Sequence, residues 1–189
     1  MSKILAIEPH ADDLFISVGW TLDAMIKAGH EVTTLTVFGD ERRQKEAQEY
    51  ARLLGAEHRA LQLPESGSMD GEVDKRALHD AIVALDSSFS QIFDQVWCPL
   101  GIYHEEHKAV RRAVDTLFKN PIYYLDMPYA VKEKNRIEAN EAIRKRHVIS
   151  LIAPTPRKWK GAELIFKSQS AFFHFERDNL LRCWEMLVR

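Results

Sequence analysis

Cysteine is nearly absent: the 189 residues hold two, Cys98 and Cys183, far apart and in different contexts. That excludes a disulfide scaffold and reads as reduced thiols in a cytosol. Neither has the neighbours of a zinc-binding cysteine. No apolar run approaches the roughly 20 residues that span a bilayer. The apolar stretch Ile4–Ile7 is also too short for the core of a signal peptide, so a cytoplasmic, membrane-free protein is expected. A basic excess is missing as well: 26 Lys+Arg stand against 28 Asp+Glu, a net charge of -2. This argues against nucleic acid or a membrane surface as a partner. There is no internal repeat and no low-complexity segment. No G-x-G-x-x-G follows the first strand, so a dinucleotide cofactor is not indicated.

What is present is an alternation of short apolar runs and helical patterns. Ile4–Ile7 is a buried-strand candidate. Leu14, Val18, Leu22, Met25 and Ile26 recur at helical spacing, and Gly29 ends that helix. Val32–Phe38 is β-branched and apolar, hence a strand. Ala47, Tyr50, Ala51 and Leu54 mark a second helix closed by Gly55. Arg59–Leu63 reads as a short strand, Glu65–Gly71 as a loop, and Ala77–Leu85 as a third helix. Gln95–Cys98 is a strand stopped by Pro99, Ala109–Leu117 a fourth helix, and Ile122–Leu125 another strand. In the last third His147–Ile152 reads as a strand. Glu163–Phe173 and Arg177–Val188 have helical character, and Lys132–Arg146 is a strongly charged helix or loop. The pattern predicts a single α/β domain over residues 1–189, Rossmann-like, with a mainly parallel sheet and helices on both faces.

Two clusters carry chemistry. Pro9-His10-Ala11-Asp12-Asp13 follows the first strand directly and precedes a helix. An Asp there is commonly a helix cap, but capping needs one Asp and no His. One imidazole and two carboxylates so close suit a divalent metal. His104-Glu105-Glu106-His107 opens the fourth helix, and residues three apart share a helix face. Ligands bind beyond the C-terminal strand ends in parallel α/β sheets, and the first and fourth strands flank the switch point. Both clusters therefore face one crevice, and a metal site is expected.

These residues resemble the PIG-L/LmbE-like family of zinc-dependent N-deacetylases. That family has His-Pro-Asp-Asp-Glu after its first strand and His-x-Asp-His after a later one. Gly29-His30-Glu31-Val32, Arg43-Gln44-Lys45-Glu46 with Leu54-Gly55, Met127-Pro128-Tyr129 and Ser168-Gln169 are further matches. The resemblance implies Zn2+ held by His10, Asp13 and His107, with Asp12 as general base and His104 as polarising partner. It assigns Arg43 to substrate binding. Three protein ligands leave a fourth position for water, zinc lowers that water's pKa, and Asp12 can take its proton. The implied reaction is hydrolysis of an N-acetyl or other N-acyl group on an amino sugar such as N-acetylglucosamine or a sugar conjugate. The partner is then a small N-acetylated molecule, with a homo-oligomer open. A His/His/Asp set also admits Fe2+, Co2+ or Mn2+. A hydrolase of a non-sugar amide or ester and a catalytically lapsed binding module remain as alternatives.

The chain departs from the family at Ala11 (for Pro), Leu14 (for Glu), Trp20 (for Gly), Glu106 (for Asp) and Phe166 (for His or Tyr). None deletes a presumed ligand. Among secondary candidates, Asp40 either faces the crevice or caps the next helix. Asp70 could accept a sugar hydroxyl but reads better as a turn residue. Trp159, Phe172, Phe173 and Trp184 could stack on a sugar but suit core packing. His30, His58, His79, His147 and His174 lack partners at ligand spacing.

Overall fold

The computed structural model describes residues 1–66, 75–89, 92–152, 164–169 and 185–189. Its strands are β1 (Lys3–Glu8), β2 (Glu31–Phe38), β3 (Glu57–Leu63), β4 (Gln95–Pro99), β5 (Ile122–Tyr124), β6 (Val148–Ile152) and β7 (Glu185–Val188). Its helices are α1 (Asp13–Lys27), α2 (Glu41–Leu54), α3 (Lys75–Phe89), α4 (Glu105–Leu117) and α5 (Arg136–Arg144). The strands form one sheet in the order β3-β2-β1-β4-β5-β7-β6. Strands β1 to β5 run parallel, and β7 is antiparallel to both β5 and β6. This is the expected α/β architecture with a mainly parallel sheet.

Side chains in a strand alternate between the two faces, and β1 divides the core accordingly. Ile4 and Ala6 join Leu14, Leu22, Ala47 and Tyr50 of α1 and α2 on one face. Leu5 and Ile7 join Leu78 and Ile82 of α3 and Val110 and Val114 of α4 on the other. Helices thus cover both faces. β3 is one of the two edge strands, which explains its polar sequence and half-exposed pattern. Gly29, at φ 88°, closes α1 as the sequence predicts, with His30 N donating to Met25 O.

Two local features differ from the sequence reading. Helix α1 is interrupted at Val18, whose φ is -144°. The amides of Trp20 and Thr21, released by the kink, donate to the carboxylate of Glu185 at 2.8 and 2.7 Å. The C-terminal stretch expected to be helical to Val188 ends instead in strand β7. Its Leu187 and Val188 are buried against the sheet, and pairing with β5 and β6 outweighs local helical spacing. The charged segment Lys132–Arg146 forms a short 3-10 turn and then α5. Cys183, His174, Asp70 and the aromatics Trp159, Phe172, Phe173 and Trp184 lie outside the described residues.

Strand order reverses between β1, followed outward by β2 and β3, and β4, followed outward by β5. The switch point therefore lies between the C-terminal ends of β1 and β4, where an α/β sheet opens a crevice.

Candidate metal centre

Both motifs reach this crevice. The His10–Asp13 segment leaves β1 and enters α1, and residues 100–104 leave β4 and enter α4. Positive-φ Gly101 and Tyr103 turn the second segment. His10, Asp12, Asp13, His104, Glu106 and His107 are all buried.

Asp13 is the hub. Its Oδ2 lies 3.2 Å from His10 Nδ1 and 3.3 Å from His107 Nε2. Ligand atoms around a tetrahedral zinc, at about 2.0–2.1 Å from the ion, stand about 3.3–3.4 Å apart. Both distances from Asp13 Oδ2 thus match the edge of a tetrahedral ligand set. The ring nitrogens of His107 are buried without a hydrogen-bond partner, a costly state that a cation relieves. One candidate ligand atom from each of the three lies within 4.8 Å of the others. The residues present therefore fit a divalent metal.

A second trio, His10, His104 and Glu106, is also close, but its spacing is different. His10 Nε2 and Glu106 Oε2 are 2.6 Å apart, a hydrogen-bond distance, and His104 Nδ1 is 3.8 Å from the same oxygen. Glu106 thus serves as acceptor for Nε2–H of His10, which aims Nδ1 at Asp13. Its other oxygen accepts from Ser66 N at 2.6 Å. On the opposite ligand, His107 Nδ1 faces Asp126 Oδ2 at 3.7 Å. Ile102 N donates to that same Asp126 oxygen. Carboxylates behind ligating histidines are the usual outer support of a metal centre.

Asp12 occupies the N-cap position of α1 but makes no capping hydrogen bond. Its Oδ1 instead accepts from Arg43 Nη2 at 2.8 Å. Arg43 Nη1 donates to Glu65 Oε1 at 2.7 Å. The arginine expected at the substrate is thus anchored between Asp12 and Glu65. Its position on α2 is set by Asp40, whose side chain caps that helix by accepting from Arg43 N at 2.9 Å. Asp40 is therefore a cap. His104 caps α4 in the same way: its Nδ1 accepts from Glu106 N at 3.3 Å. That bond assigns the imidazole proton to Nε2. Tyr129 packs its ring edge-on against His104 and His107, at centroid distances of 5.6 and 5.3 Å.

Electrostatics separate these groups in the metal-free protein. Burial opposes charge on His10 and His107, but the carboxylates facing them prevail and raise their pKa values to about 9 and about 10. Asp13 is held well below the carboxylate range, burial being outweighed by the two histidines. His104 is pushed down to about 3 by burial and by the neighbouring histidines, so it is a neutral imidazole. Burial raises Asp12, and the Arg43 guanidinium resists that rise.

Three contributors lacked a motif in the sequence. Glu106 lay inside the second motif, but stood out there only as a departure from the family. Asp126 and Glu65 reach the centre from other loops. Glu8 ends β1 as a fully buried carboxylate, accepting from Leu14 N at 3.0 Å and from Thr36 Oγ1 at 2.6 Å. Its signal was a lone acid closing an apolar strand. Leu14, by contrast, buries its side chain in the core. The remaining described histidines stay outside the centre. His30 accepts from Ser2 N, and His58 pairs with Thr34.

The family of GlcNAc-PI de-N-acetylases, PIG-L, matches residues 5–118. No curated protein sequence matches the chain. Among solved structures, a teicoplanin deacetylase in its zinc-inhibited form is 19% identical. The match covers 99% of this chain and 97% of that one, with a TM-score of 0.68. A 4-carboxy-2-hydroxymuconate hydratase from Pseudomonas putida KT2440 is 12% identical over 100% and 96% of the two chains, at a TM-score of 0.61. N,N'-diacetylchitobiose deacetylase from Pyrococcus horikoshii is 17% identical over 100% and 84%, at 0.54. At these identities the likeness concerns the fold.

Proposed function

The chain belongs to the PIG-L family of GlcNAc-PI de-N-acetylases, and from this premise we propose that it is a single-domain, zinc-dependent amide hydrolase. It removes an N-acetyl group from an amino sugar or sugar conjugate in the cytoplasm. The observation that carries the reading is that His10 Nδ1 and His107 Nε2 each stand at a tetrahedral-edge distance from Asp13 Oδ2. Beside them stands Asp12, a carboxylate free of capping duty.

His10, Asp13 and His107 would hold the cation. When bound, it supplies Lewis-acid polarisation of an amide carbonyl and acidifies a water molecule. The chain's own groups divide the remaining work. Asp12 takes the proton of the attacking water, and Arg43 keeps that carboxylate ionised and aimed. His104, neutral and with its proton on Nε2, donates to the carbonyl oxygen as negative charge develops there. The proton gathered by Asp12 is then available to the departing nitrogen, so acetate and a free amine result. Glu106 and Asp126 fix the two ligating rings. A lapsed binding module finds no support, because His10, Asp12, Asp13, His104 and His107 are all present and converge.

The test is metal analysis of purified protein together with amine release from N-acetylated sugars, before and after chelation. One zinc per chain and chelator-sensitive release are expected. Asp12→Asn should keep its metal and lose about 10²- to 10⁴-fold in turnover. His107→Ala should lose the metal. Bound zinc without release from any sugar would shift the substrate to a non-sugar amide or ester. Absence of metal after reconstitution would overturn the ligand assignment.

A further inference from the structure

Two of the chain's departures from the family, Trp20 and Phe166, border one cavity away from the metal centre. It lies between α1 and α2, has a volume of about 260 Å³, and takes Phe15, Leu53, Leu54 and Ile165 as apolar wall. Trp20, just past the kink of α1 at Val18, lines it directly. Phe166 backs the wall, fully buried and edge-on to Phe15 and Tyr50 at centroid distances of 5.6 and 5.9 Å. Tyr50, also in the wall, stands about 10 Å further along α2 than Arg43. The cavity therefore sits toward the C-terminal ends of the two helices whose N-terminal ends carry Asp12 and Arg43.

Two hydrogen-bond donors in this wall are unused. The Tyr50 hydroxyl and Trp20 Nε1 are buried with no hydrogen-bond partner among the described residues, and Tyr50 as a whole is 4% exposed. Burial and the carboxylates of Glu185, Glu8 and Asp23 raise the Tyr50 pKa well above the usual phenol value, so the hydroxyl keeps its proton. The donors share one side of the cavity: a Cβ on Gly19 would stand 2.9 Å from Tyr50 Oη, and Trp20 is the next residue. A buried donor left unpaired is costly, so two in one wall mark the place of an acceptor. The charged groups of the wall, Asp23 and Lys27, pair with each other at 2.6 Å and call for no counter-ion. A dry apolar cavity of about 150 Å³ holds one benzene ring, so this larger one has room for a bicyclic molecule. A carbonyl oxygen has two lone pairs and answers two donors.

We propose that this cavity is a second ligand site, which receives a neutral apolar ring compound of bicyclic size through one carbonyl oxygen. Tyr50 and Trp20 donate to the carbonyl, and Phe15, Leu54 and Ile165 enclose the rings. The site is separate from the metal centre and stands whatever that centre hydrolyses. The Gly usual in the family at position 20 would remove one donor and part of the wall. A His or Tyr at position 166 would put a polar group behind it. The site thus belongs to this chain's own residues rather than to the shared fold.

The probes are indanone and indane, alike in their rings, of which only the ketone carries an acceptor. Calorimetric titration of the purified protein should give the ketone a Kd about tenfold lower than the hydrocarbon, the contribution of one good hydrogen bond. In nitrogen–proton correlation spectra the ketone should move the Trp20 indole N–H resonance, which Trp20→Phe identifies by its loss. Tyr50→Phe removes an unpaired hydroxyl and leaves no group without a partner, so it should fold as the wild type does. It should raise the ketone Kd about tenfold and leave the hydrocarbon Kd unchanged. Gly19→Ala, whose methyl fills the space before the Tyr50 hydroxyl, should weaken both probes. Chelation of the metal should change neither Kd. Equal affinities for the two probes, a Trp20 resonance that stays in place, or wild-type selectivity in Tyr50→Phe would each overturn the site. So would ketone binding that chelator abolishes, and none of these outcomes touches the deacetylase reading.

Discussion

Glu106 reaches one methylene further than the Asp usual at its position in the family, and the reach ends on His10 Nε2 at 2.6 Å. A carboxylate so placed fixes both the tautomer and the orientation of the ligating ring. Glu106→Ala is therefore expected to weaken zinc binding about 10- to 100-fold, read by competition against a chromophoric chelator. Unchanged affinity would remove Glu106 from the support of the site. Glu8 gives a second residue-level expectation. Burial pushes its carboxyl from 4.5 up to about 8, against the bonds from Thr36 and Leu14. The folded value lies above the unfolded one, so the folded state prefers the protonated acid. That contribution is whole below pH about 4.5 and is lost as pH rises through about 8. Glu8→Gln keeps an acceptor for Leu14 N and removes the titration. In metal-free protein its stability relative to wild type should increase across that window, measured as denaturant midpoints at several pH values. A constant difference would mean that Glu8 does not titrate there. At this scale the convergence of His10, Asp12, Asp13, His104 and His107 was legible because they fall in two short motifs. Arg43's grip on Asp12 and Asp126's place behind His107 were not, since contacts across distant loops leave no local pattern.

At the scale of elements, the first two-thirds of the chain follow from periodicity. Apolar residues recur at helical spacing in α1, α2, α3 and α4, and runs of β-branched residues mark the buried strands. The C-terminal third follows it less. Leu180, Leu181, Trp184 and Leu187 keep a helical spacing in the sequence, but Glu185–Val188 pairs antiparallel with β5 and β6. A four-residue strand is too short for its alternation to outvote that spacing. Tertiary context also set the kink of α1, which no Pro announces. There Glu185, 1% exposed, accepts from Trp20 N, Thr21 N and Thr21 Oγ1. It functions as a cap supplied by a different element, and β7 is tied to α1 through it. Glu185→Ala would leave buried amides without acceptors, at a cost of about 1–3 kcal/mol. Urea unfolding should show a lower midpoint with an unchanged slope. A shift of less than about 0.5 kcal/mol, ordinary for a surface substitution, would mean that water replaces the cap.

For the whole molecule, a metal held at the candidate centre would act as a cross-brace. His10 and Asp13 come from the β1–α1 junction and His107 from the start of α4, so one ion bound there would tie together elements from opposite faces of the sheet at its switch point. In the metal-free state the same residues crowd charges that burial disfavours, with His10 and His107 raised to about 9 and about 10 by the carboxylates they face. Coordination requires those protons to leave, so zinc binding should tighten as pH rises. A ligand that binds only the folded state at a hundred times its Kd adds about 2.7 kcal/mol. At this chain length each kcal/mol moves Tm by about 2–4 °C. Chelation of the zinc-loaded protein should therefore lower Tm by roughly 5–10 °C, followed by calorimetry. His107→Ala should unfold at one temperature with or without chelator, since its ligand set is broken. A wild-type Tm indifferent to zinc and chelator alike would mean that the folded arrangement does not bind the ion. The convergence of the two motifs would then need a different explanation from the one that orders this site.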